Sequence, residues 1–310
     1  MQDTKMKAWI DALRLRTLPL SLSGVVTATG IAGFYHTFDP LTFILMFVMV
    51  ALLQIDSNFA DEYGDLAHGA DNEDRIGPVR GLQRGDITAP QMKRAIIICS
   101  IAALAFALAL LLTSFGEGQT GYLVLFIVLA GICVAGALLY TMGSHPYGYH
   151  MLGDAAVFVF FGLISVIGGA FLYTARAGHP TFVLATVLPA IAVGCLSTGV
   201  LNLNNMRDIE TDEAAGKMTL AVKLGPEKAR WYHMVLIVVG MAGFLSFPIA
   251  TGVHKALAYL FVLGFIPLAK QLVGVMAVEN RADYDRFMKP LSMTTFAISI
   301  AFALCMTFLA

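Results

Sequence analysis

The chain is poor in charged residues. Asp, Glu, Lys and Arg make up only 13% of its 310 residues, whereas hydrophobic residues make up 58% and the mean hydropathy is +0.75. A soluble domain carries about 25% charged residues, so this composition excludes an ordinary soluble domain and indicates a chain built for lipid. The alternating strands of about ten residues that a membrane β-barrel needs are not seen in the sequence. We therefore expect an all-α polytopic membrane protein.

Cysteine and net charge are also scarce. The four cysteines, Cys99, Cys133, Cys195 and Cys305, lie in apolar stretches and form no C-x-x-C pair, which argues against a disulfide framework and against a thiolate metal site. The net charge is −1, and a nearly neutral chain does not carry the broad basic surface that nucleic acid requires. We expect a lipid bilayer, and no nucleic acid, among its partners.

Nine apolar segments are long enough to cross a bilayer, which takes about 20 residues of helix. They are 17–38, 41–60, 95–114, 121–143, 155–175, 182–203, 232–251, 256–278 and 290–310. The first 16 residues mix charges with Trp9, Ile10 and Leu13, a pattern typical of a short helix at the membrane interface. We predict a single transmembrane domain over 1–310, with nine helices in a bundle and an interfacial segment at 1–16.

Arginine and lysine are distributed unevenly between the two sets of loops. If the N-terminus lies in the cytoplasm and the chain crosses nine times, every basic residue except Arg176 and Lys255 falls on the cytoplasmic side. Cytoplasmic loops of membrane proteins typically carry an excess of arginine and lysine over the loops on the other side. We therefore predict a multi-pass protein of the cytoplasmic membrane whose loops 61–94, 144–154 and 206–231 face the cytoplasm.

Two acidic clusters interrupt the apolar chain at matching positions. Asp61 and Asp65 follow the second segment, and Asp208 and Asp212 follow the sixth, with the same offset of 147 residues (208 − 61 and 212 − 65). The i, i+4 spacing within each pair places two carboxylates on one face of a helix. Because the clusters are four segments apart, the sequence predicts two parallel four-helix repeats plus a ninth helix.

The residues around these clusters suit a diphosphate bound with Mg²⁺. Mg²⁺ prefers carboxylate and phosphate oxygens, and arginine and lysine donate to the same phosphates. The candidate metal ligands are Asp61, Glu62, Asp65, Asp208 and Asp212. The candidate substrate-binding residues are Asn58, Arg75, Arg80, Tyr140, Tyr149, Asp154, Asn204, Asn205 and Arg207, and Lys217 is a candidate to act on a phosphate. An active site on the cytoplasmic side follows from their positions.

Each of these signals has a plainer alternative. A single D-x-x-x-D after an apolar helix is often a solvated loop, Lys217 alone would also serve as a topological anchor, and tyrosines such as Tyr140 and Tyr149 also form interfacial belts. The acids would further suit a secondary transporter that couples cations or protons. A transporter predicts acids near the bilayer midplane, whereas both clusters follow the ends of segments beside arginine and lysine. Phosphate chemistry is the favoured interpretation.

Five stretches of the chain resemble the UbiA-type intramembrane prenyltransferases. They are R-L-R-T-L-P (14–19), S-N-F-A-D-E-Y-G-D (57–65), G-A-D-N-E-D-R-I-G-P-V-R-G (69–81), Y-T-M-G-S-H-P-Y-G-Y-H-M-L-G-D (140–154) and L-N-L-N-N-M-R-D-I-E-T-D-E-A-A-G-K-M-T-L-A-V-K-L-G (201–225). The last two resemble the branch that prenylates 1,4-dihydroxy-2-naphthoate in menaquinone synthesis. The family's first motif is usually N-D-x-x-D, and here Asp61 and Glu62 occupy its first two places.

The resemblance implies a reaction and assigns its residues. Mg²⁺ held by the five acids would bind the diphosphate of a polyprenyl diphosphate. Asp65, Asp208, Asp212 and Lys217 would be catalytic, and Arg75, Arg80 and Arg207 would help to neutralise the leaving group. The naphthoate would take the polyprenyl group with loss of CO₂ and diphosphate, giving demethylmenaquinol.

Other acceptors known for the family remain open as alternatives, among them 4-hydroxybenzoate, homogentisate and haem. The benzoate branch typically carries Y-x-x-x-K after the fourth span. Here Tyr140 is followed by Ser144 in place of the lysine. This departure favours the naphthoate.

Overall fold

A computed structural model describes residues 2–70 and 79–310, and the side chains of 6–70 and 79–310. Within these ranges the chain is helical, and its extended pairing is limited to one backbone bridge between His150 and Met218. The predicted all-α fold is confirmed.

Twelve α-helices follow one another along the described chain. They are α1 (Gln2–Leu13), α2 (Leu18–Phe34), α3 (Pro40–Ala67), α4 (Ala89–Ser114), α5 (Thr120–Leu139), α6 (Gly153–Val157), α7 (Gly169–Arg176), α8 (Val187–Arg207), α9 (Ile209–Ala214), α10 (Leu220–Ala250), α11 (Phe265–Met276) and α12 (Asp285–Phe308). A π-helical stretch, Phe158–Gly168, joins α6 to α7. A nine-residue 3₁₀ helix, Ala256–Gly264, precedes α11, and shorter 3₁₀ turns lie at Tyr147–Tyr149, Leu184–Thr186 and Arg281–Tyr284.

The number of membrane crossings agrees with the sequence. Over the described ranges, eight continuous helical segments are long and apolar enough to cross a membrane. The bent pair of α1 and α2, counted as one segment, brings the number to nine. The chain bends by 46° between α1 and α2, where Arg14 has a φ of +47°. The first of the nine crossings is therefore counted across this bend, with α1 and α2 taken together.

Helix α3 shows how the local sequence positions the first acidic cluster. Asp39 caps it, accepting a hydrogen bond from the Thr42 backbone N–H at 2.7 Å, and Pro40 occupies the first turn, where its missing N–H costs nothing. From there α3 runs for 28 residues. Asp61 and Asp65 therefore lie in its last two turns, at one end of the bundle.

Among the eight continuous segments, the one that contains helix α8 is the most buried, with 61% of its most apolar 18 residues inside the protein. Small residues allow its close packing: a Cβ on Gly162 of the π-helical stretch would lie 2.5 Å from the carbonyl oxygen of Ala190. Such close backbone approach is the usual basis of helix packing in lipid. By contrast α5 has no buried residue. The C-terminal end of α8, which directly precedes the second acidic cluster, lies inside the bundle: Asn205, Met206 and Arg207 are all buried.

Candidate active site

A cavity of about 360 Å³ lies within the bundle and is polar at one end and apolar at the other. Its charged and amide lining residues are Arg14, Arg16, Gln54, Asn58, Asp61, Asp65, Arg80, Asn204, Asn205, Asp208, Asp212, Lys217 and Lys289. Its apolar end extends between α3, α4, α5 and the π-helical stretch, where Leu110, Phe126 and Phe161 are among its walls. The two acidic clusters, far apart in sequence, share this one cavity.

Lys217 joins the two clusters at the polar end. Its Nζ lies 3.5 Å from Oδ1 of Asp65 and 4.0 Å from Oδ1 of Asp212. It also lies 5.1 Å from the centre of the Tyr149 ring, and the Tyr149 hydroxyl donates to Asp65 Oδ1 at 2.9 Å. Two carboxylates from opposite walls therefore share one ammonium group.

The backbone places Lys217 there. After α9 the chain reverses at Gly216, which has a φ of +73°, a conformation that favours glycine. The Lys217 N–H then donates to the Asp212 carbonyl at 2.7 Å, and the Met218 N–H donates to the Tyr149 carbonyl at 3.1 Å. Loop 206–231 is thus fastened to loop 144–154 beside the site.

The charge state of this group follows from its surroundings. Burial by itself lowers the pKa of Lys217, but the carboxylates of Asp65, Asp212 and Asp61 outweigh it and raise the pKa above its ordinary value. Burial, with Asp65 beside the hydroxyl, likewise raises the pKa of Tyr149. At neutral pH the site therefore contains a lysine cation and a neutral tyrosine.

Asp61 binds arginines instead of lysine. Its Oδ2 lies 2.5 Å from Arg14 Nη1 and 3.9 Å from Arg80 Nη2. Arg14 Nε and Nη2 are buried and make no hydrogen bond to any described residue. Arg14 and Arg16 both line the cavity, although neither is among the site residues predicted from the sequence. The only sequence signal for them is the stretch R-L-R-T-L-P, which contains both.

The second acidic pair does not lie on one uninterrupted helix, which corrects the sequence prediction. Helix α8 ends at Arg207, and Asp208, with φ −99° and ψ 12°, separates it from α9. The Asp212 N–H still donates to the Asp208 carbonyl at 2.8 Å. One helical turn is therefore preserved, and both carboxylates line the cavity.

Arg207 does not line the cavity, contrary to its predicted contact with substrate. Its side chain is 1% exposed, and its donors bind protein oxygens. Nε and Nη2 donate to the two carboxylate oxygens of Asp208 at 2.7 and 2.6 Å. Nη2 also donates to Asn204 Oδ1 at 2.9 Å, and Nη1 donates to Asp285 Oδ1 at 2.7 Å. The break after α8 allows this contact, because consecutive residues of a helix point in different directions. Arg207 holds an acid that lines the cavity.

Glu62 and Asp154 also lie away from the cavity wall. The Glu62 side chain is 1% exposed and accepts a hydrogen bond from the Leu82 N–H at 2.8 Å, so it fastens the following loop to α3. Asp154 is buried and hydrogen-bonds Tyr232 on α10. Glu62 therefore does not lie where a metal ligand would, and Asp154 does not lie where it would contact substrate, because both side chains face other parts of the protein instead of the cavity.

The remaining predicted residues fall into three groups. Asn58 lines the cavity, but its amide N–H groups donate to the Leu13 carbonyl and Thr17 Oγ1 at 2.9 and 3.1 Å, so it attaches the connection between α1 and α2 to α3. Tyr140, Asn204, Asn205 and Arg80 line the cavity as expected. Arg75 lies outside the described residues.

The donor set fits a metal that is bound together with a diphosphate. Within the described ranges, no group of three His, Cys, Asp or Glu side chains converges into a closed metal cage. Mg²⁺ does not need one, because it is usually held by one or two carboxylates while water and phosphate oxygens complete its octahedron. Asp61 and Asp65 on one wall and Asp208 and Asp212 on the other are suitable ligands of this kind.

We expect Tyr149→Phe to lower kcat/KM about tenfold. The change removes the donor to Asp65 and keeps the ring beside Lys217, and a hydrogen bond to a charged group contributes about 1.5–3 kcal/mol. Steady-state kinetics would measure the loss. Tyr259→Phe is the matched control, because it deletes a 2.8 Å bond to the Val253 carbonyl away from the cavity. Equal rates in the two variants would contradict the assignment.

The chain is similar to known proteins over nearly its whole length. The UbiA prenyltransferase family matches residues 21–307. A 1,4-dihydroxy-2-naphthoate octaprenyltransferase of Escherichia coli is 41% identical over 89% of this chain and 87% of its own, and the protein of that name from Haemophilus influenzae is 38% identical over 98% and 97%.

Solved structures share the fold. An apo UbiA homolog from Aeropyrum pernix K1 has a TM-score of 0.62 at 19% identity, covering 89% of this chain and 94% of that one. A UbiA homolog from Archaeoglobus fulgidus bound to GPP and Mg²⁺ has a TM-score of 0.58 at 15% identity, covering 94% and 98%. With the family match over nearly the whole length, the chain belongs to the UbiA prenyltransferase family.

Proposed function

We propose that this prenyltransferase transfers a polyprenyl group from polyprenyl diphosphate to 1,4-dihydroxy-2-naphthoate, with loss of CO₂ and diphosphate, giving demethylmenaquinol. The observation that carries the proposal is the shape of the cavity, which joins a charged end containing both acidic clusters to an apolar end between the helices. Such a cavity matches a donor with an anionic head and a hydrocarbon tail. The names of the relatives from Escherichia coli and Haemophilus influenzae support the naphthoate as acceptor.

The charged end suits the diphosphate head. Asp61, Asp65, Asp208 and Asp212 would hold Mg²⁺ there, and a bound Mg²⁺ would supply positive charge to the departing phosphate oxygens. Lys217 adds a cation that its two carboxylate neighbours keep protonated. Preorganised charges of this kind stabilise the charge that develops on a leaving group.

The apolar end suits the tail and the allylic carbon. Leu110 and Phe126 offer hydrocarbon contacts, and lipid-facing helices around them allow a long chain to continue towards the bilayer. Tyr140 also lines the cavity, and its ring face would stabilise positive charge on the allylic carbon.

The acceptor is anionic, and the site offers arginines for it. Arg14 keeps two buried nitrogens that bind no described residue, which suit the naphthoate carboxylate or a diphosphate oxygen.

In the transfer, the C–O bond of the donor breaks and its electron pair leaves with diphosphate. The ring carbon that bears the carboxylate forms the new C–C bond, and the pair from the bond to CO₂ returns to the ring. Since no proton leaves that carbon, this step requires no general base.

The protein is an integral membrane protein, and we propose that its active site faces the cytoplasm. The support is the distribution of arginine and lysine: 18 of the 20 basic residues fall in one set of loops and helix ends, and cytoplasmic loops of membrane proteins carry such an excess. Mg²⁺ and soluble aromatic acids are available on that side of a cytoplasmic membrane.

An acceptor panel tests the proposed function. Purified protein in liposomes would receive Mg²⁺ and one polyprenyl diphosphate, together with 1,4-dihydroxy-2-naphthoate, 4-hydroxybenzoate or homogentisate, while prenylated product and CO₂ are measured. We expect product with the naphthoate, one CO₂ for each transfer, and none of either with EDTA. Turnover of 4-hydroxybenzoate in place of the naphthoate would reject the proposed acceptor.

A further inference from the structure

We propose that Asp285, the first residue of α12, is a positioning residue for the second acidic cluster. It acts through the buried Arg207, which in turn holds Asp208 at the cavity. The inference rests on the proposed function, because it takes Asp208 as one of the residues that hold the metal–diphosphate group.

Arg207 connects three elements that meet at the end of α8. Asp208 receives two of its donors, at 2.7 and 2.6 Å, and Asp285 receives a third from the opposite edge of the guanidinium, at 2.7 Å. The planar fork of arginine fixes the relative orientation of both carboxylates. A displacement of Asp285 therefore turns the guanidinium and, with it, the Asp208 side chain.

The turn before α12 holds Asp285 in place. Tyr284 is buried, and its hydroxyl accepts a hydrogen bond from Arg230 Nε at 2.8 Å. Arg281 Nη1 lies 2.8 Å from Oε1 of Glu210 on α9. Oδ1 of Asp285 also lies 4.0 Å from Nη1 of Arg16, and Arg16 lines the cavity. The aspartate thus stands between a cavity arginine and the arginine that holds Asp208.

Asp285 provides Arg207 with a second counter-ion besides Asp208. If Arg207 had only Asp208 as its counter-ion, a metal that drew Asp208 away would leave a buried guanidinium without a full partner, which is costly. With a second carboxylate on Arg207, the group of three carries one net negative charge. Asp208 can then serve a bound cation while Asp285 still neutralises the arginine.

A bridge that only stabilises the fold would behave differently. The Asp285 side chain is 45% exposed, and ion pairs at such positions contribute little to stability. Residues that orient a metal ligand, by contrast, typically change metal affinity or activity by about 10- to 100-fold when they are replaced. Loss of Asp285 should therefore weaken binding of the metal–diphosphate group more than it weakens the fold.

Ligand-induced thermal stabilisation of the whole protein in detergent tests this without an acceptor. Geranylgeranyl diphosphate with Mg²⁺ would be titrated against wild type, Asp285→Asn, Asp285→Glu and the control Asp283→Asn. Asp283 is exposed and lies two residues away, so its replacement removes the same charge without touching Arg207. The readout is the diphosphate concentration that gives half of the maximal rise in Tm.

We expect Asp285→Asn to require about tenfold more diphosphate. Asp285→Glu should stay within about threefold of wild type because it keeps the charge, and Asp283→Asn should not differ from wild type. Equal half-saturation in Asp285→Asn and wild type, or equal weakening in Asp283→Asn, would overturn the proposal. So would a fall of more than about 10 °C in the Tm without ligand, since Asp285 would then act on stability.

The same assay separates this proposal from the proposed function. If wild type is stabilised by the diphosphate but does not prenylate the naphthoate, the acceptor is wrong and the positioning result stands. If wild type shows no Mg²⁺-dependent stabilisation by the diphosphate, both proposals fail.

Discussion

Replacing Lys217 by methionine is expected to lower kcat/KM for prenyl transfer by about 100- to 1,000-fold. The effect is large because the ammonium group lies between Asp65 and Asp212 and is 8% exposed. Without it, two carboxylates face each other in the cavity and the leaving diphosphate loses a fixed cation. Removal of one preorganised group that stabilises developing charge typically costs a factor of this size.

Steady-state kinetics in liposomes would measure the change, with Lys223→Met as the matched control. Lys223 is an exposed lysine on α10, near the site in sequence but outside the cavity wall. The control should retain wild-type kinetics. If Lys217→Met retained more than about a tenth of the wild-type kcat/KM, the assignment of Lys217 to the leaving group would be wrong.

Asp65→Asn is expected to reduce kcat/KM about 1,000-fold. The substitution keeps the size of the side chain but removes the charge that faces Lys217 and accepts from Tyr149. If Asp65 is a ligand of the metal that binds the diphosphate, the variant loses several kcal/mol of transition-state stabilisation, and about 4 kcal/mol corresponds to this factor.

Asp56→Asn, on the same helix, is the control. Asp56 is as buried as Asp65 but faces α4, where it accepts a hydrogen bond from Ser100 Oγ at 2.6 Å. Asparagine can accept the same bond, so transfer should continue. Equal losses in the two variants would show that any buried acid of α3 is required for folding, and would contradict a specific part for Asp65 in binding the diphosphate.

The sequence was sufficient for the crossings and for the two acidic clusters because both depend on local composition. Apolar runs of about 20 residues mark membrane helices whatever surrounds them, and acids that end such runs stand out. The matched positions of Asp65 and Asp212 in the two halves suggested that both belong to one site, but they gave no indication that the two carboxylates meet at Lys217. The distances that join them needed the fold.

Side-chain direction was the part that the sequence could not supply. Arg207 lies beside Asp208 in the chain, and only the break between α8 and α9 turns its guanidinium onto that carboxylate. Glu62 is next to Asp61, yet one step along a helix points it at the Leu82 backbone. For Arg14, the unusual φ of +47° and the contact with Asp61 come from tertiary packing.

The measurement that tests the central claim most directly is Mn²⁺ binding by electron paramagnetic resonance, with Mn²⁺ in place of Mg²⁺. Wild type, Asp65→Asn and Asp208→Asn would be titrated with and without geranylgeranyl diphosphate. If both acidic clusters form one site, the diphosphate should strengthen Mn²⁺ binding in wild type, and either substitution alone should weaken that binding at least about tenfold. Wild-type affinity in either variant would contradict a shared site.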